Sequence, residues 1–454
     1  MVFSASTLDA IIKAYDIRGV VPDQLDESLA RAIGAAFVRL LETDRIVTAY
    51  DMRETSPGLA AAFAEGANAQ GADVVEAGLG STDLLYYASG SLGLPGAMFT
   101  ASHNPARYNG IKLCRAGAAP VGQDSGLADI RRMVEAGVPD HAGARGSVTK
   151  QELLGAYASY LIDLVPGIRD IRRLKVVVDA GNGMGGLTVP TVFESLPVDL
   201  TAMYFELDGS FPHHEANPIE PANLRDLQAE VKARGADIGL AFDGDADRCF
   251  VVDERGEIVS PSVLTALIAA RELDKEPGAT VIHNLITSHA VPEVVREHGG
   301  TPVRTRVGHS FIKATMAQTG AVFGGEHSGH FYFRDFWRAD SGMLAALHAL
   351  AALGSTDRPL SELLASYDRY VGSGEVNTEV ADTTAALAAV RESFAALPGA
   401  KVDELDGLTV EVAEGEWFNV RPSNTEPLLR LNVEAPDHAS MEKLRDDVLA
   451  VIRR

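Results

Sequence analysis

The chain has 454 residues, a formal net charge of −23 and a hydrophobic content of 46%, values of a soluble, acidic globular protein of several domains. The negative charge argues against a nucleic-acid partner, since phosphate backbones select basic surfaces, and no run approaches the ~20 apolar residues that cross a membrane. An anionic substrate must therefore be captured by locally gathered Arg, Lys and His against the overall field. The opening residues lack a charged segment followed by an apolar core, which predicts a cytoplasmic protein. Cys114 and Cys249 stand far apart without metal-ligand spacing, which predicts two free thiols, buried or half-buried.

In chain order, the first polar loop is Ala14-Tyr15-Asp16-Ile17-Arg18-Gly19, a solvated turn or an anion site. Residues 26–42 read as a helix, because Leu29, Ile33, Phe37 and Leu41 make one apolar stripe. Strands at Arg45–Tyr50, Ala72–Ala77 and Ala97–Phe99, with a helix near Leu59–Ala69, give a βαβ rhythm and a mainly parallel sheet. Thr100-Ala101-Ser102-His103-Asn104-Pro105 follows the third strand, and Gly110–Cys114 is another strand that carries Lys112. The polar stretch 115–148 reads as a boundary. A helix Glu152–Leu164 and a strand Leu174–Asp179 lead into Gly181-Asn182-Gly183-Met184-Gly185-Gly186, a tight turn between strand and helix or, more weakly, a phosphate cradle.

A helix Asn223–Arg234 and a strand Ile238–Phe242 precede Asp243-Gly244-Asp245-Ala246-Asp247-Arg248. Beyond Ser260 the pattern is helix Val263–Leu273, strand Thr280–Ile282, helix Ala290–Glu297, strand Thr301–Arg306 and helix Phe311–Gln318. It ends in Val322-Phe323-Gly324-Gly325-Glu326-His327-Ser328-Gly329-His330. From about Gly372 the rhythm changes to a helix around Thr384–Leu397, short strands Gly407–Val412, Trp417–Val420 and Leu428–Val433, and a last helix through Met441, Leu444, Val448 and Ile452. Three similar apolar strands, Gly-Ala-Met-Phe, Gly-Leu-Ala-Phe and Gly-Ala-Val-Phe, each run into a polar loop. The expected fold is α/β: three related mixed-sheet α/β domains (1–148, 149–257, 258–370) and a smaller C-terminal α+β domain (371–454) around a central cleft.

Four loops carry chemistry. Ser102 sits on an irregular turn beyond a strand end, where Pro105 discourages helix; a capping turn is the bland alternative. Asp243, Asp245 and Asp247 alternate with small residues and can converge on one hard cation, which close carboxylates need if they are not to repel. Glu254 occupies the place of an EF-hand's last ligand, but Arg248 stands where that loop needs glycine, and Cys249–Val252 reads as a strand. Open coordination positions suit Mg²⁺ shared with a phosphate oxygen; a solvated acidic turn is the alternative. Glu326 and Ser328 suit vicinal sugar hydroxyls, and Arg421, Ser423, Asn424, Thr425 and Arg430 offer a phosphate clamp, because an arginine fork matches phosphate oxygens in pairs. For either loop taken alone an ordinary polar turn, capped at the surface in the second case, is the alternative.

Together, in this order, the four loops resemble those of the α-D-phosphohexomutases over nearly the whole chain. Thr100–Pro105 is similar to that family's phosphoserine loop, Asp243–Arg248 to its metal loop, Gly325–His330 to its sugar loop and Arg421–Pro427 to its phosphate loop. His327, Pro422 and Asn424 lean toward its phosphomannomutase/phosphoglucomutase branch rather than phosphoglucosamine mutase, which remains an alternative. A lysine found in some relatives near 284–288 is replaced here by Asn-Leu-Ile-Thr-Ser.

The resemblance implies that Ser102 carries a phosphoryl group and that a hexose 1,6-bisphosphate is the intermediate and activator. It also implies Mg²⁺ on Ser102, Asp243, Asp245 and Asp247. Arg18, His103, Lys112 and Arg248 would attend the transfer, with Lys112 or His330 as the base. Tyr15, His309, Glu326, Ser328, His330, Arg421, Ser423, Asn424, Thr425 and Arg430 would bind hexose phosphates. The expected state is monomer or homodimer. A metal-dependent phosphatase and a silent sugar-phosphate sensor are the rival classes.

Overall fold

The computed structural model describes residues 3–423 and 428–453. The chain forms two compact units, Met1–Pro261 with Ser328–Leu363, and Ser262–His327 with Leu364–Arg454.

In the first unit, one sheet is built from β1 (Ile17–Val20), β2 (Arg45–Tyr50), β3 (Asp73–Leu79), β4 (Gly96–Phe99), β5 (Tyr108–Arg115), β6 (Ala119–Pro120) and β7 (Val148–Lys150). Its order is β1-β5-β4-β2-β3-β7, with β6 beside β5. β2 runs parallel to β3 and β4, whereas β5 is antiparallel to β4 and β1, so the sheet is mixed. A core of Phe37, Phe63 and Phe99 with Ile33, Leu59 and Ile111 lies under it. The helix Glu27–Leu41 contributes Leu29, Ile33 and Phe37 from the stripe read in the sequence, and Asp26 caps it by accepting the Leu29 N–H.

The second sheet comprises β8 (Leu174–Asp179), β9 (Val198–Met203), β10 (Ile238–Phe242), β11 (Cys249–Asp253) and β12 (Ile258–Val259), in the order β12-β11-β10-β8-β9. Both sheets follow one plan. A first strand (β2, β8) lies between its successor (β3, β9) and a third strand (β4, β10), and a fourth (β5, β11) lies antiparallel beyond the third. The first unit also holds the antiparallel pair β16 (Phe331–Phe333) and β17 (Ala339–Asp340). The wholly buried helix Gly342–Gly354 follows.

In the second unit, β13 (Thr280–Asn284) pairs in parallel with β14 (Thr301–Thr305) on one side and β15 (Phe323–Gly325) on the other. That repeats the first, second and third places of the other two sheets. The faint likeness of three strands read from the sequence is thus matched by a likeness of strand order. The remaining antiparallel sheet, β18-β22-β21-β20-β19, contains β18 (Val371–Glu379), β19 (Lys401–Asp403), β20 (Leu408–Ala413), β21 (Glu416–Pro422) and β22 (Leu428–Ala435). Helices Thr383–Phe394 and His438–Ile452 cover it through Val390, Phe394, Leu444 and Val448, the α+β arrangement expected.

Some elements differ from the sequence reading. The stretch 115–148 is not only a connection: it contains the helix Leu127–Ala136, which buries Leu127, Ile130 and Val134. Helix Thr82–Leu92 and strands β1, β9 and β18 were not expected; β1 and β18 carry no clear apolar period, whereas β9 does alternate Val198, Leu200 and Ala202 with Asp199 and Thr201.

Candidate active site

Ser102 stands where β4 ends. The Thr100 N–H donates to the Gly110 carbonyl at 3.1 Å and closes the strand end. The Ser102 N–H donates to Thr100 Oγ1 at 2.9 Å. Ser102 itself has φ +49°, the left-handed region that costs a non-glycine residue roughly 1 kcal/mol. Its hydroxyl donates to Asp243 Oδ2 at 2.7 Å and lies 3.2 Å from His103 Nδ1. The serine is 5% exposed.

The aspartate loop owes its shape to β10 and β11. These strands are antiparallel with Phe242 opposite Cys249, so residues 243–248 form the hairpin end. Asp243, Asp245 and Asp247 are all buried, with ligand oxygens within 4.8 Å of one another. Gly244 is required there, because a Cβ at that position would stand 2.4 Å from the Ser102 carbonyl oxygen. The glycine-rich turn 181–186 serves this loop rather than a ligand: the Met184 N–H donates to the Gly244 carbonyl at 2.9 Å, and helix Gly185–Phe193 follows at once.

Cations hold most of the carboxylate oxygens. Arg248 donates from Nε to Asp243 Oδ2 at 2.9 Å and from its backbone to Oδ1 at 3.1 Å. Lys112, on β5, donates from Nζ to Asp245 Oδ2 at 2.7 Å and Asp247 Oδ2 at 2.6 Å. Thr82 Oγ1 adds a hydrogen bond to Asp245 Oδ2 at 2.5 Å. Oδ1 of Asp245 and Oδ1 of Asp247 are buried without a hydrogen-bond partner. Two orphaned oxygens in a buried carboxylate cluster are the donor set that a hard divalent cation takes, so the residues fit Mg²⁺. Burial and the neighbouring carboxylates push the pKa of Asp247 well up, and burial raises that of Asp243 against the pull of Arg248. Burial also opposes the charge of Lys112, but Asp245 and Asp247 hold its pKa well above the ordinary lysine value.

The same unit gathers other expected residues. Arg18, on β1, donates to Asn104 Oδ1 of the serine loop and to Asp16 Oδ2, each at 2.5 Å. Burial, Arg248 and Arg18 bring the His103 pKa down to about 2, so its imidazole is neutral and its Nδ1 accepts from the Arg248 guanidinium. Arg248 and His330 form an antiparallel bridge, and His330 Nε2 lies 3.6 Å from Asp247 and 4.0 Å from Asp340. Ser328 Oγ is 3.1 Å from His330 Nδ1. Tyr15 is half-buried on the loop ahead of β1.

In the second unit, Glu326 is buried at the end of β15 and within electrostatic reach of Arg421. Arg421 and Arg430 face one another across β21 and β22. Glu375, on β18, holds both: Arg421 Nη2 donates to its Oε2 at 2.6 Å, and Arg430 Nη1 lies 3.3 Å from its Oε1. Arg421 is 8% exposed, and its Nη1 is buried without a hydrogen-bond partner among the described residues. An unmet guanidinium nitrogen beside a second arginine can take an anionic oxygen. The Ser423 N–H donates to the Leu428 carbonyl at 2.9 Å. Asn424, Thr425 and the His309 side chain lie outside the described residues.

Sequence reading missed three buried groups of the first unit: Asp51, Arg53 and Thr82. Asp51 and Arg53 follow β2 as Ser102 follows β4, its parallel neighbour, so the signal was a charged pair at a strand end. In the stretch 284–288, Asn284 Oδ1 accepts from the Thr287 hydroxyl at 2.8 Å and ties the turn to itself.

Against known proteins, four models cover the chain: phosphoglucomutase/phosphomannomutase alpha/beta/alpha domain I at residues 9–138, domain II at 157–256, domain III at 261–370, and the C-terminal domain at 375–451. The chain is 40% identical over 453 residues to a phosphomannomutase of Salmonella montevideo, covering 97% of this chain and 98% of that one. It is 40% identical over 445 residues to a protein described as phosphohexose mutases in Xanthomonas campestris, covering 97% and 98%. The crystal structure of a phosphoglucomutase/phosphomannomutase family protein from Burkholderia thailandensis matches with a TM-score of 0.88 and 34% identity, covering 100% of this chain and 98% of that one.

Proposed function

The chain belongs to the phosphoglucomutase/phosphomannomutase family and is a hexose-phosphate mutase, and from that premise we propose that Ser102 is its phosphoryl carrier. The observation that carries the reading is the Ser102 hydroxyl, 2.7 Å from a buried aspartate whose loop neighbours present two carboxylate oxygens that take no hydrogen bond.

In the reaction, the Oγ–P bond of phosphorylated Ser102 breaks as an oxygen of the sugar's free hydroxyl bonds to phosphorus. The hydroxyl proton leaves to a base, and a hexose 1,6-bisphosphate results. This bisphosphate turns around, its other phosphoryl group returns to Ser102, and the isomeric monophosphate departs. Added bisphosphate activates by loading the serine. Asp243, Asp245 and Asp247, with the phosphoryl oxygen of Ser102, would hold Mg²⁺, which when bound draws negative charge from the transferring group. Arg248, Lys112 and Arg18 supply fixed positive charge around Ser102, as phosphoryl transfer requires. Lys112 is held protonated by Asp245 and Asp247, so His330 is the better acceptor for the sugar proton.

In the second unit, Glu326 binds sugar hydroxyls, and Arg421, Arg430, Ser423, Asn424, Thr425 and His309 bind the phosphate that does not react. Tyr15, Ser328 and His330 complete the substrate set. The four domains divide near 148, 257 and 370, and the enzyme works in the cytoplasm as a monomer or homodimer. No described helix is long and apolar enough to cross a membrane.

Phosphorus NMR of the protein with mannose 6-phosphate, Mg²⁺ and a trace of glucose 1,6-bisphosphate tests the reading. A growing mannose 1-phosphate signal is expected, and glucose 6-phosphate run alongside ranks the sugars. Release of inorganic phosphate instead would identify a hydrolase.

A further inference from the structure

Arg53 is 2% exposed, and no other arginine in the described residues is so deeply enclosed among the largest buried side chains. Its guanidinium spends itself on one loop. Nη1 donates to the carbonyls of Pro105 at 3.1 Å and Tyr108 at 2.9 Å; Nη2 donates to those of Ser102 at 2.9 Å and Asn104 at 2.6 Å. Nε faces Asp51 Oδ2 at 3.2 Å. Four of its five donors are spent on this loop, and Nε, which makes no hydrogen bond, is buried against the Asp51 carboxylate, away from any substrate.

The carbonyls it takes are informative. Those of Ser102 and Asn104 flank His103, and the Ser102 backbone is in the left-handed region, which persists only where the surroundings over-determine it. The Ser102 carbonyl oxygen is fixed from two sides, by Arg53 Nη2 and by the close approach of Gly244. With the carbonyl and the N–H both pinned, the Cα–Cβ direction is set, and with it the path of Oγ toward Asp243. Arg53 is itself anchored. Asp51 Oδ1 accepts from the Arg53 N–H at 3.0 Å and from Ser56 Oγ at 2.6 Å. The Phe211 ring covers the guanidinium at 5.2 Å, and Gly209 packs so closely that a Cβ there would lie 2.8 Å from the Arg53 Cα.

A buried ion pair is a costly way to hold a loop if cohesion alone is wanted, since apolar side chains of similar volume serve as well or better. Burial lowers the Arg53 pKa and raises that of Asp51, each opposed by the other, which shows the cost of keeping the pair charged. What a guanidinium provides and an apolar chain cannot is four directed hydrogen bonds in one plane.

We propose that Arg53 is the positioning residue of the serine loop, holding Ser102 in the strained conformation from which its oxygen transfers phosphoryl groups. The inference rests on the reading of Ser102 as carrier. It predicts that loss of Arg53's fan of hydrogen bonds misplaces the nucleophile and leaves sugar-phosphate binding intact.

The test is steady-state kinetics of Arg53→Lys, of the milder Asp51→Asn and of Ser102→Ala beside the unaltered enzyme, each first checked for folding by circular dichroism. Lysine keeps the charge but cannot reach four carbonyls. For Arg53→Lys, kcat falls about 100-fold, the scale on which misplacement of a reacting group by about 1 Å acts. KM stays within about threefold, because ground-state binding is untouched. Asp51→Asn shows the same split to a smaller extent. Mass spectrometry after incubation with glucose 1,6-bisphosphate finds Ser102 loaded more slowly in both. A folded Arg53→Lys or Asp51→Asn protein with unaltered kcat and loading overturns the inference, as does a rise in KM matching the fall in kcat/KM. Failure of both variants to fold assigns Arg53 to stability alone and also overturns it. Turnover by Ser102→Ala at the rate of the unaltered enzyme removes the carrier reading itself, and the inference falls with it.

Discussion

Replacing Lys112 with methionine isolates the electrostatics of the aspartate loop. The side chain stays unbranched, one atom shorter, and loses its charge. Lys112 Nζ sits 2.7 Å from Asp245 and 2.6 Å from Asp247, and the two carboxylates are almost wholly enclosed, with 0% and 2% of their side-chain surface exposed. At an effective dielectric of about 20, two unit charges at 4 Å attract by roughly 4 kcal/mol, and these contacts are closer. Desolvation offsets much of that attraction, but the offset is not recovered when only the ammonium is removed. Breaking a buried pair in this way costs about 3–5 kcal/mol, because the carboxylates stay behind. In a chelating buffer, Lys112→Met therefore melts well below the unaltered protein. Magnesium narrows the gap, since in the variant the cation takes over a charge deficit that lysine otherwise fills; saturation at 100 times Kd contributes about 2.7 kcal/mol. The assay is thermal unfolding of both proteins in chelator and over a magnesium titration. Equal midpoints in chelator, or a gap that magnesium leaves unchanged, would refute the reasoning.

Ser102→Ala abolishes mutase turnover and leaves circular dichroism unchanged; near-normal turnover would sink the carrier assignment. Arg421→Ala weakens hexose-phosphate binding by about 2 kcal/mol, the worth of a charge-assisted hydrogen bond, and calorimetric titration of hexose phosphates checks it. Asp83, buried and hydrogen-bonded by Ser81, Tyr157 and Ser341, has its pKa raised to about 6, chiefly by burial. Its folded value exceeds its unfolded one, so its stabilising contribution is complete below about pH 4 and lost as pH rises through about 6. The size is about 3 kcal/mol by linkage. Chemical denaturation between pH 4 and 7, compared with Asp83→Asn, should show that slope in the unaltered protein alone.

The chemistry of the first unit was legible because its carboxylates lie close together in sequence. Asp243, Asp245 and Asp247 share one hairpin end, and Ser102 follows a four-residue strand, β4, whose apolar run announces it. Partners joined only by folding were not legible. Arg53 spends its donors on carbonyls 49 to 55 residues away, and main-chain oxygen has no sequence signature. Glu375 stands 46 residues before Arg421 on β18, a strand with no apolar run to announce it and two glycines in it. Helix Gly342–Gly354 escaped for the opposite reason: it is buried all round, so no polar face marks a period of 3.6.

The charges around Ser102 carry a further consequence. Arg18, Lys112 and Arg248 are set against Asp16, Asp243, Asp245 and Asp247, which leaves one negative charge in excess if all are ionised. A phosphoryl group on Ser102 adds about two more at neutral pH. In an enclosed site such an excess is relieved by protons or by a cation. The upward pull on Asp243 and Asp247 is the protonic answer, and the oxygens of Asp245 and Asp247 that take no hydrogen bond are the place for the other. A divalent ion and a phosphoryl group on Ser102 would therefore be held more favourably together than apart. Were Ser102 phosphorylated, its dianion and a divalent cation would favour one another there, in place of protons on the aspartates.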